Sequence, residues 1–581
     1  MDFRADAPLI VQGDRTVLLE VNSPDYEAAR DHLARFAELE KSPEYIHTYR
    51  ISPLSLWNAA AAGLHADDII AGLQELAKYP LPDNVVFEIR DAMGRYGRVR
   101  LTRDPYDETR LRLMSDDALL LVELERNRYL KPYVLNQLGP HTLQVPTSRR
   151  GHVKQALVKA GYPAEDLVGY LLGAPLALQL RDVGLDSRPF AVRDYQRDAA
   201  EIFWANGSDA GGAGVIVLPC GAGKTIVGMV AMAMSQTNTL ILTPSTVAAR
   251  QWREELIDKT TLTEDLIGEY TGQQKQIRPV TVTTYQILTH RKRGTKGNEH
   301  TPLVDQYPHF ALFSRGDWGL IIYDEVHLLP APVFRITAEL QARRRLGLTA
   351  TLVREDNREE DVFSLIGPKK YDVPWHDLER QGWIAPAICY EIRVGMSKAE
   401  RMDYIMAEQR QKYRVAADNT EKLGILDSLL TYHQGDRVLI IGMYLDQLER
   451  IAARYGYPII TGKTTVAERE TLYEQFRTGE IPTLVVSKVA NFSIDLPDAN
   501  VAIQVSGTFG SRQEEAQRLG RILRPKSDGG QAYFYTIVTK ETVDQDYSSN
   551  RQRFLTEQGY RYLILYGEEV PGALAHTQQR A

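Results

Sequence analysis

The segment VLPCGAGKTIVG, Val217 to Gly228, carries the clearest chemical signal in the chain. Gly221 and Gly223, with Ala222 between them, let successive backbone N–H groups turn toward a phosphate at a helix N-terminus. Lys224 can bridge the β and γ phosphates of a nucleotide, and the Thr225 hydroxyl can hold Mg²⁺. The strict P-loop pattern asks for glycine where Leu218 stands. The apolar run before the segment and TIVGMVAMAMS after it nevertheless supply the strand, loop and helix that the mechanism needs. TGKTT, Thr461 to Thr465, repeats the letters without an upstream glycine loop and reads as a turn before a helix.

A second signal is GLIIYDEVHLLP, an apolar strand ending in Asp324, Glu325 and His327. Acids at the end of a parallel strand face the crevice where ligands bind, so Asp324 can complete the Mg²⁺ coordination and Glu325 can orient or deprotonate the attacking water. Alone, two adjacent acids read as a solvated strand end; beside a P-loop they point to ATP hydrolysis. His327 is placed to couple the nucleotide site to its neighbours, or is an ordinary turn residue. A third signal is GSRQEEAQRLGRILRPK, where Gln517, Arg521 and Arg524 share a helical face by their spacing. Arginines presented to a P-loop by a second α/β unit can act as fingers on the transferred phosphoryl group; the plain alternative is a solvated basic helix. In GLTATLVREDN, Arg354, Glu355 and Asp356 read locally as a solvated turn with an ion pair.

The elements that must position these residues form two series. GVIVLP, TLILTP, TVTTY, GLIIYDE and LGLTAT follow Arg193, and RVLIIGM, YPIITG, TLVVSK, VAIQVS and AYFYTIV follow Arg437, each series interleaved with helices. That pattern predicts two parallel sheets with crossover helices. Before them, residues 1–105 show helical periodicity in DYEAARDHLARFAELE and in SPLSLWNAAAAGLHADDIIAGLQELAKY, with Ser52 and Pro53 as a helix start. Residues 106–190 predict short strands in LRLMSDD, ALLLVEL and HTLQVP and a helix from Gly151 to Ala160. The expected organisation is 1–105, 106–190, 191–370 and 371–581, in keeping with 581 residues at roughly 150 per domain.

Composition bounds the rest. Cys220 and Cys389 are too few for a disulfide framework, and no CxxC or Cys/His cluster offers a zinc site. No leader pattern or bilayer-length apolar run occurs, so a soluble, intracellular protein is expected. A net charge of −7 excludes a small basic DNA-coating protein but allows nucleic-acid binding in a local groove.

The P-loop, DEVH, TAT and QRLGRILR, in this order, resemble the tandem RecA-like motor of superfamily 2 helicases and translocases. LTATLVRED followed by IGPKKYDVPWHDLERQGWIAPA resembles specifically the XPB family, and VIVLPCGAGKT, YSSNRQRFLTEQGYRYLIL and the N-terminal PLIVQGDRTVLLEVNSPDYEAARDHL extend the likeness over almost the whole chain. The resemblance implies an α/β fold of two tandem RecA-like parallel-sheet motor domains, preceded by a smaller mixed α+β N-terminal region and typical of a prokaryotic form. Residues 106–190 would be a damage-recognition-like domain and 397–418 a helical thumb.

Residue by residue, AVRDYQ resembles the adenine-sensing entry, implying Gln196 as the adenine contact with Arg193 nearby. SKVANFSIDLPDANVAIQ implies Asp495 at the nucleotide cleft or the inter-domain interface. Ser245 and Thr284 would contact the DNA backbone, Thr349 and Thr351 would couple nucleotide state to DNA, and Arg354, Glu355 and Asp356 would serve unwinding. The implied activity is an ATP- and Mg²⁺-dependent 3′–5′ DNA helicase or duplex translocase acting in repair. It would grip DNA through its phosphates irrespective of sequence, in the cytoplasm and on the nucleoid, with a nuclease or repair-complex partner left open. A scaffold using ATP only as a conformational switch, and an RNA-directed motor, fit the same motifs.

Overall fold

The computed structural model describes residues 4–572 except 42–44, 186, 209–210, 220, 292–305, 340–342, 351–358, 374, 488–498, 508–530, 558–559 and 561. Strands of two to eight residues, the central ones apolar and buried on both faces, make two seven-stranded sheets in which every pairing is parallel. The first runs Ile267–Tyr270, Val280–Thr284, Thr239–Thr243, Leu320–Asp324, Arg344–Thr349, Ala213–Val217, Lys369–Asp372. The second runs Ile459–Ile460, Thr483–Ser487, Val438–Gly442, Val501–Gln504, Ala532–Thr539, Ala387–Val394, Tyr562–Tyr566.

Alternation along each strand splits the first unit's core into two layers. Ile216, Ile241, Ile322 and Leu348 pack on one face with the helix Lys224–Ser235, through Val227, Met229 and Met232. Val215, Leu240, Ile321 and Tyr323 pack on the other. Because the strands are parallel, their C-terminal ends share one edge. Val217 pairs with Thr349 and Asp324 with Leu348, so the P-loop, DEVH and the first threonine of TAT emerge side by side.

The N-terminal region is mixed α+β, as expected. An antiparallel sheet ordered Leu9–Val11, Thr16–Glu20, Ile46–Arg50, Glu38–Lys41 packs against the helices Tyr26–Leu33, Pro53–Ala61, Ala66–Leu76 and Asp83–Arg95. A second sheet, Asn136–Gly139, Thr142–Pro146, Arg110–Met114, Arg100–Arg103, Glu165–Asp166, carries the helices Ala118–Arg126 and Arg150–Lys159. Among the described residues no helix is long and apolar enough to cross a membrane.

Four details depart from the sequence reading. ALLLVEL is a helix, Ala118–Arg126, not a strand: the Asp117 carboxylate accepts from the N–H groups of Leu119 and Leu120, and Leu120, Leu121 and Leu124 face the core at helical spacing. FAELE leaves the helix that ends at Leu33 and enters the strand Glu38–Lys41; the three-residue spacing of Leu33, Phe36 and Leu39 imitates a helix. Arg100–Arg103 pairs with Arg110–Met114, so the second sheet begins before residue 105. Lys369–Asp372 pairs with the P-loop strand, so the first motor unit extends past residue 370.

Candidate nucleotide site

The P-loop strand ends at Val217, and Leu218 donates its N–H to the Thr349 carbonyl at 3.0 Å, which ties the loop to the neighbouring strand end. Gly221 and Gly223 hold φ of 83° and 79°, a region that favours glycine. A Cβ on Gly223 would also lie 2.5 Å from Gln196 Nε2 and would displace that side chain from the Ala222 carbonyl. Lys224 and Thr225 open the helix Lys224–Ser235, whose first N–H groups lack intrahelical acceptors and favour anions.

Lys224 Nζ lies 3.5 Å from Glu325 Oε1. Burial pushes the Glu325 carboxyl up, but the Lys224 charge and then His327 outweigh it and hold it below its ordinary range. Glu325 sits at φ 48°, a left-handed conformation that costs roughly 1–2 kcal/mol in a residue with a Cβ. Such strain persists only where surrounding contacts enforce it, and here it directs the carboxylate at the P-loop lysine.

Asp324 is fixed from both sides: its Oδ1 accepts the Glu325 N–H at 3.0 Å and its Oδ2 accepts the Trp252 indole N–H at 2.9 Å. Each oxygen keeps acceptor capacity. Burial, then the neighbouring Glu325 charge, raises the Asp324 pKa. His327, 4% exposed, places Nδ1 2.7 Å from Thr349 Oγ1 and 3.4 Å from Glu325 Oε2. The DEVH histidine thus bridges the acid and the threonine of the next strand.

Gln196 is buried and donates Nε2–H to the Ala222 carbonyl at 2.8 Å, while its Oε1 accepts the Arg193 N–H at 3.0 Å. The Arg193 guanidinium lies 4.4 Å from the centroid of Trp383, in the segment that joins the two motor units. Ser245 and Thr284 are helix N-caps whose hydroxyls accept the N–H groups of Ala248 and Ile287, with Thr284 4% exposed. Gln517, Arg521, Arg524, Asp495, Thr351, Arg354, Glu355 and Asp356 lie outside the described residues.

Three contacts were not foreseen. Trp252 reaches Asp324 from the helix Thr246–Lys259, Tyr285 donates its hydroxyl to the Asp324 carbonyl at 2.8 Å, and Tyr195 donates to the Ala222 carbonyl at 2.7 Å. Trp252, Tyr285 and Tyr195 stand in the same segments as Ser245, Thr284 and Gln196, but aromatic residues there read equally as core.

Among the described residues no cluster of three His, Cys, Asp or Glu side chains could hold a metal by itself. The donor set fits a hard cation that shares its shell with phosphates and water: the Thr225 hydroxyl, and the Asp324 carboxylate oriented by two hydrogen bonds.

Comparisons with known proteins show what the chain is similar to. Residues 378–575 match the family described as ERCC3/RAD25/XPB C-terminal helicase, 189–354 match type III restriction enzyme, res subunit, and 9–139 match helicase conserved C-terminal domain. The last of these covers the first N-terminal sheet and part of the second rather than a motor sheet. The DNA 3′-5′ helicase XPB of Kineococcus radiotolerans is 54% identical over 98% of each chain. That of Mycobacterium tuberculosis is 54% identical over 98% of this chain and 99% of its own. The general transcription and DNA repair factor IIH helicase/translocase subunit XPB/SSL2 of Saccharomyces cerevisiae is 31% identical over 99% of this chain and 74% of its own. The chain belongs to the XPB family of helicases, in its prokaryotic form.

Proposed function

We propose that the chain is an ATP-driven 3′–5′ DNA helicase acting in DNA repair, with hydrolysis at Lys224 and Glu325. The observation that carries this reading is the loose pair across two strand ends: Lys224 3.5 Å from a Glu325 carboxylate that is strained, mostly buried and kept ionised. When the β and γ phosphates of ATP arrive, Lys224 exchanges Glu325 for phosphate oxygens. Glu325, released, accepts a hydrogen bond from the attacking water and orients it in line. A Mg²⁺ ion held by Thr225 and Asp324 would supply charge neutralisation of the phosphates.

The adenine is read by Gln196 with Arg193 beside it. The His327–Thr349 hydrogen bond carries the nucleotide state into the strand that leads to Thr351, Arg354, Glu355 and Asp356, which we assign to strand separation. Arg521 and Arg524 of the second unit supply the fingers, with Gln517 on the same face and Asp495 at the cleft; Ser245 and Thr284 mark the edge of the first sheet that meets the DNA backbone. Residues 1–105 and 106–190 serve as substrate-engaging domains and 397–418 as a thumb, and the protein works in the cytoplasm, on the nucleoid.

The test is ATP turnover and strand displacement on 3′-tailed, 5′-tailed and blunt duplexes, with RNA as a parallel effector. DNA-stimulated turnover with displacement only from the 3′ tail is expected. Turnover without displacement on any substrate would favour a switch or a pure translocase, and stimulation by RNA alone would reject DNA as the track.

A further inference from the structure

The Arg193 guanidinium stands at the lip of the P-loop and is held on two sides. Its Nη1 donates to the Tyr195 hydroxyl at 3.0 Å, and that hydroxyl donates in turn to the Ala222 carbonyl at 2.7 Å. One face lies 4.4 Å from the centroid of Trp383. This is direct stacking of an arginine on an aromatic ring, with no space for a second ring between them. The backbone is anchored as well, because the Arg193 N–H donates to Gln196 Oε1 at 3.0 Å.

Among the described residues nothing else engages this cation. It has no acidic partner, and only one of its side-chain N–H groups is spent.

Trp383 is unusual for its type. Of the chain's six tryptophans it is the most exposed, at 36%, although Leu378 and Ile384 beside it are buried. Its backbone is fixed: Gly382, at φ 74°, turns the chain, and the Trp383 N–H donates to the Leu378 carbonyl at 2.9 Å. Burial usually sets the place of an indole. Here the partner it keeps is Arg193. The residue lies between Lys369–Asp372, the last strand of the first sheet in chain order, and Ala387–Val394, a strand of the second.

A half-exposed arginine loses much rotamer freedom when a ligand fixes it. Tyr195 and Trp383 have already removed that freedom, which favours whatever binds the fixed form. With one edge bonded and one face covered, a ligand meets the opposite face. A planar base completes such a stack, whereas phosphate oxygens need no defined plane and have Lys224 and the helix N-terminus.

We propose that Trp383 is a positioning residue for the nucleobase: it holds the Arg193 guanidinium flat so that adenine stacks on the other face. Because Trp383 is carried by the segment joining the motor units, affinity for the base follows the position of that segment. The proposal rests on the assignment of adenine to Gln196 and Arg193.

The test titrates ADP and pyrophosphate, each with Mg²⁺, into the full chain by calorimetry; the two share a diphosphate and differ by the nucleoside. Trp383→Leu keeps apolar bulk without an aromatic face. It is expected to weaken ADP about threefold to fivefold, the worth of an exposed cation–π contact, and to leave pyrophosphate unchanged. Trp383→Tyr should restore most of the loss. In Trp383→Leu the KM for ATP should rise in step while turnover at saturating ATP on DNA stays close to wild type, a split that a folding defect does not produce. Arg193→Ala should weaken ADP at least as much, and adding Trp383→Leu to it should cost nothing further. Arg193→Ala without effect on the preference for ADP over pyrophosphate would remove the adenine assignment, and the proposal with it. A loss of that preference in Arg193→Ala but not in Trp383→Leu would leave the assignment standing and overturn the proposal alone. Equal loss of both ligands in Trp383→Leu, or tighter ADP binding, would also overturn it, the latter because the indole would then compete with the base.

Discussion

Each motor unit contains a lysine paired with an acid, and the two pairs differ in how deeply they are buried and how completely they are satisfied. In the second unit Lys422 Nζ lies 2.8 Å from Asp544 and donates to the Val505 carbonyl at 3.0 Å, while the same Asp544 oxygen accepts the Thr539 N–H at 3.0 Å. Both side chains are at most 2% exposed. In the first unit Lys224 and Glu325 are 3.5 Å apart, and their side chains are 11% and 16% exposed. The first arrangement spends its hydrogen-bonding capacity inside the fold and holds structure. The second is looser and more exposed, as the proposed exchange of Glu325 for phosphate by Lys224 requires.

This contrast can be broken at several points. The largest effect belongs to Lys224→Ala, which should lower ATP turnover by roughly 10³-fold while leaving the melting temperature close to wild type. Lys422→Ala should do the reverse, destabilising the second unit by roughly 3–5 kcal/mol by stranding the buried Asp544 charge. Thermal unfolding would show this, and pairing Lys422→Met with Asp544→Asn should recover most of the loss. Trp252→Phe removes the indole donor that aims Asp324 and should lower turnover about tenfold, with a higher Mg²⁺ requirement in a metal titration. The smallest change is expected from Thr349→Val, which removes the hydroxyl from His327. DNA stimulation of turnover should fall about fivefold, the worth of one hydrogen bond, while DNA-free turnover is nearly constant.

The placement of GAGKT and DEVH at neighbouring strand ends was legible in the sequence because it is local. GAGKT requires glycines at positive φ followed by a helix, DEVH requires a strand end, and each lies within one strand-to-turn transition. The departures arose where spacing is ambiguous or where partners are distant. Leu33, Phe36 and Leu39 suit a helix and a turn-plus-strand equally, and ALLLVEL became a helix through the single capping carboxylate of Asp117. Trp252 reaches Asp324 across 72 residues and Tyr195 reaches Ala222 across 27, separations that no periodicity reveals. The strand Ala387–Val394, paired with Ala532–Thr539 and Tyr562–Tyr566, passed unnoticed because Glu391 and Arg393 interrupt its apolar run. The structure pairs those two charges with each other, Arg393 Nε to Glu391 Oε1 at 2.6 Å.

The central claim is that Glu325 serves hydrolysis and not nucleotide binding, because Lys224 carries the phosphate contact. Nucleotide binding and single-turnover hydrolysis measured side by side on Glu325→Gln test it most directly. The variant should bind ATP at least as tightly as wild type, since Lys224 loses a competing charge, hydrolyse it roughly 10³-fold more slowly, and displace no strand. Hydrolysis near the wild-type rate, or a loss of ATP binding equal to that of Lys224→Ala, would contradict it.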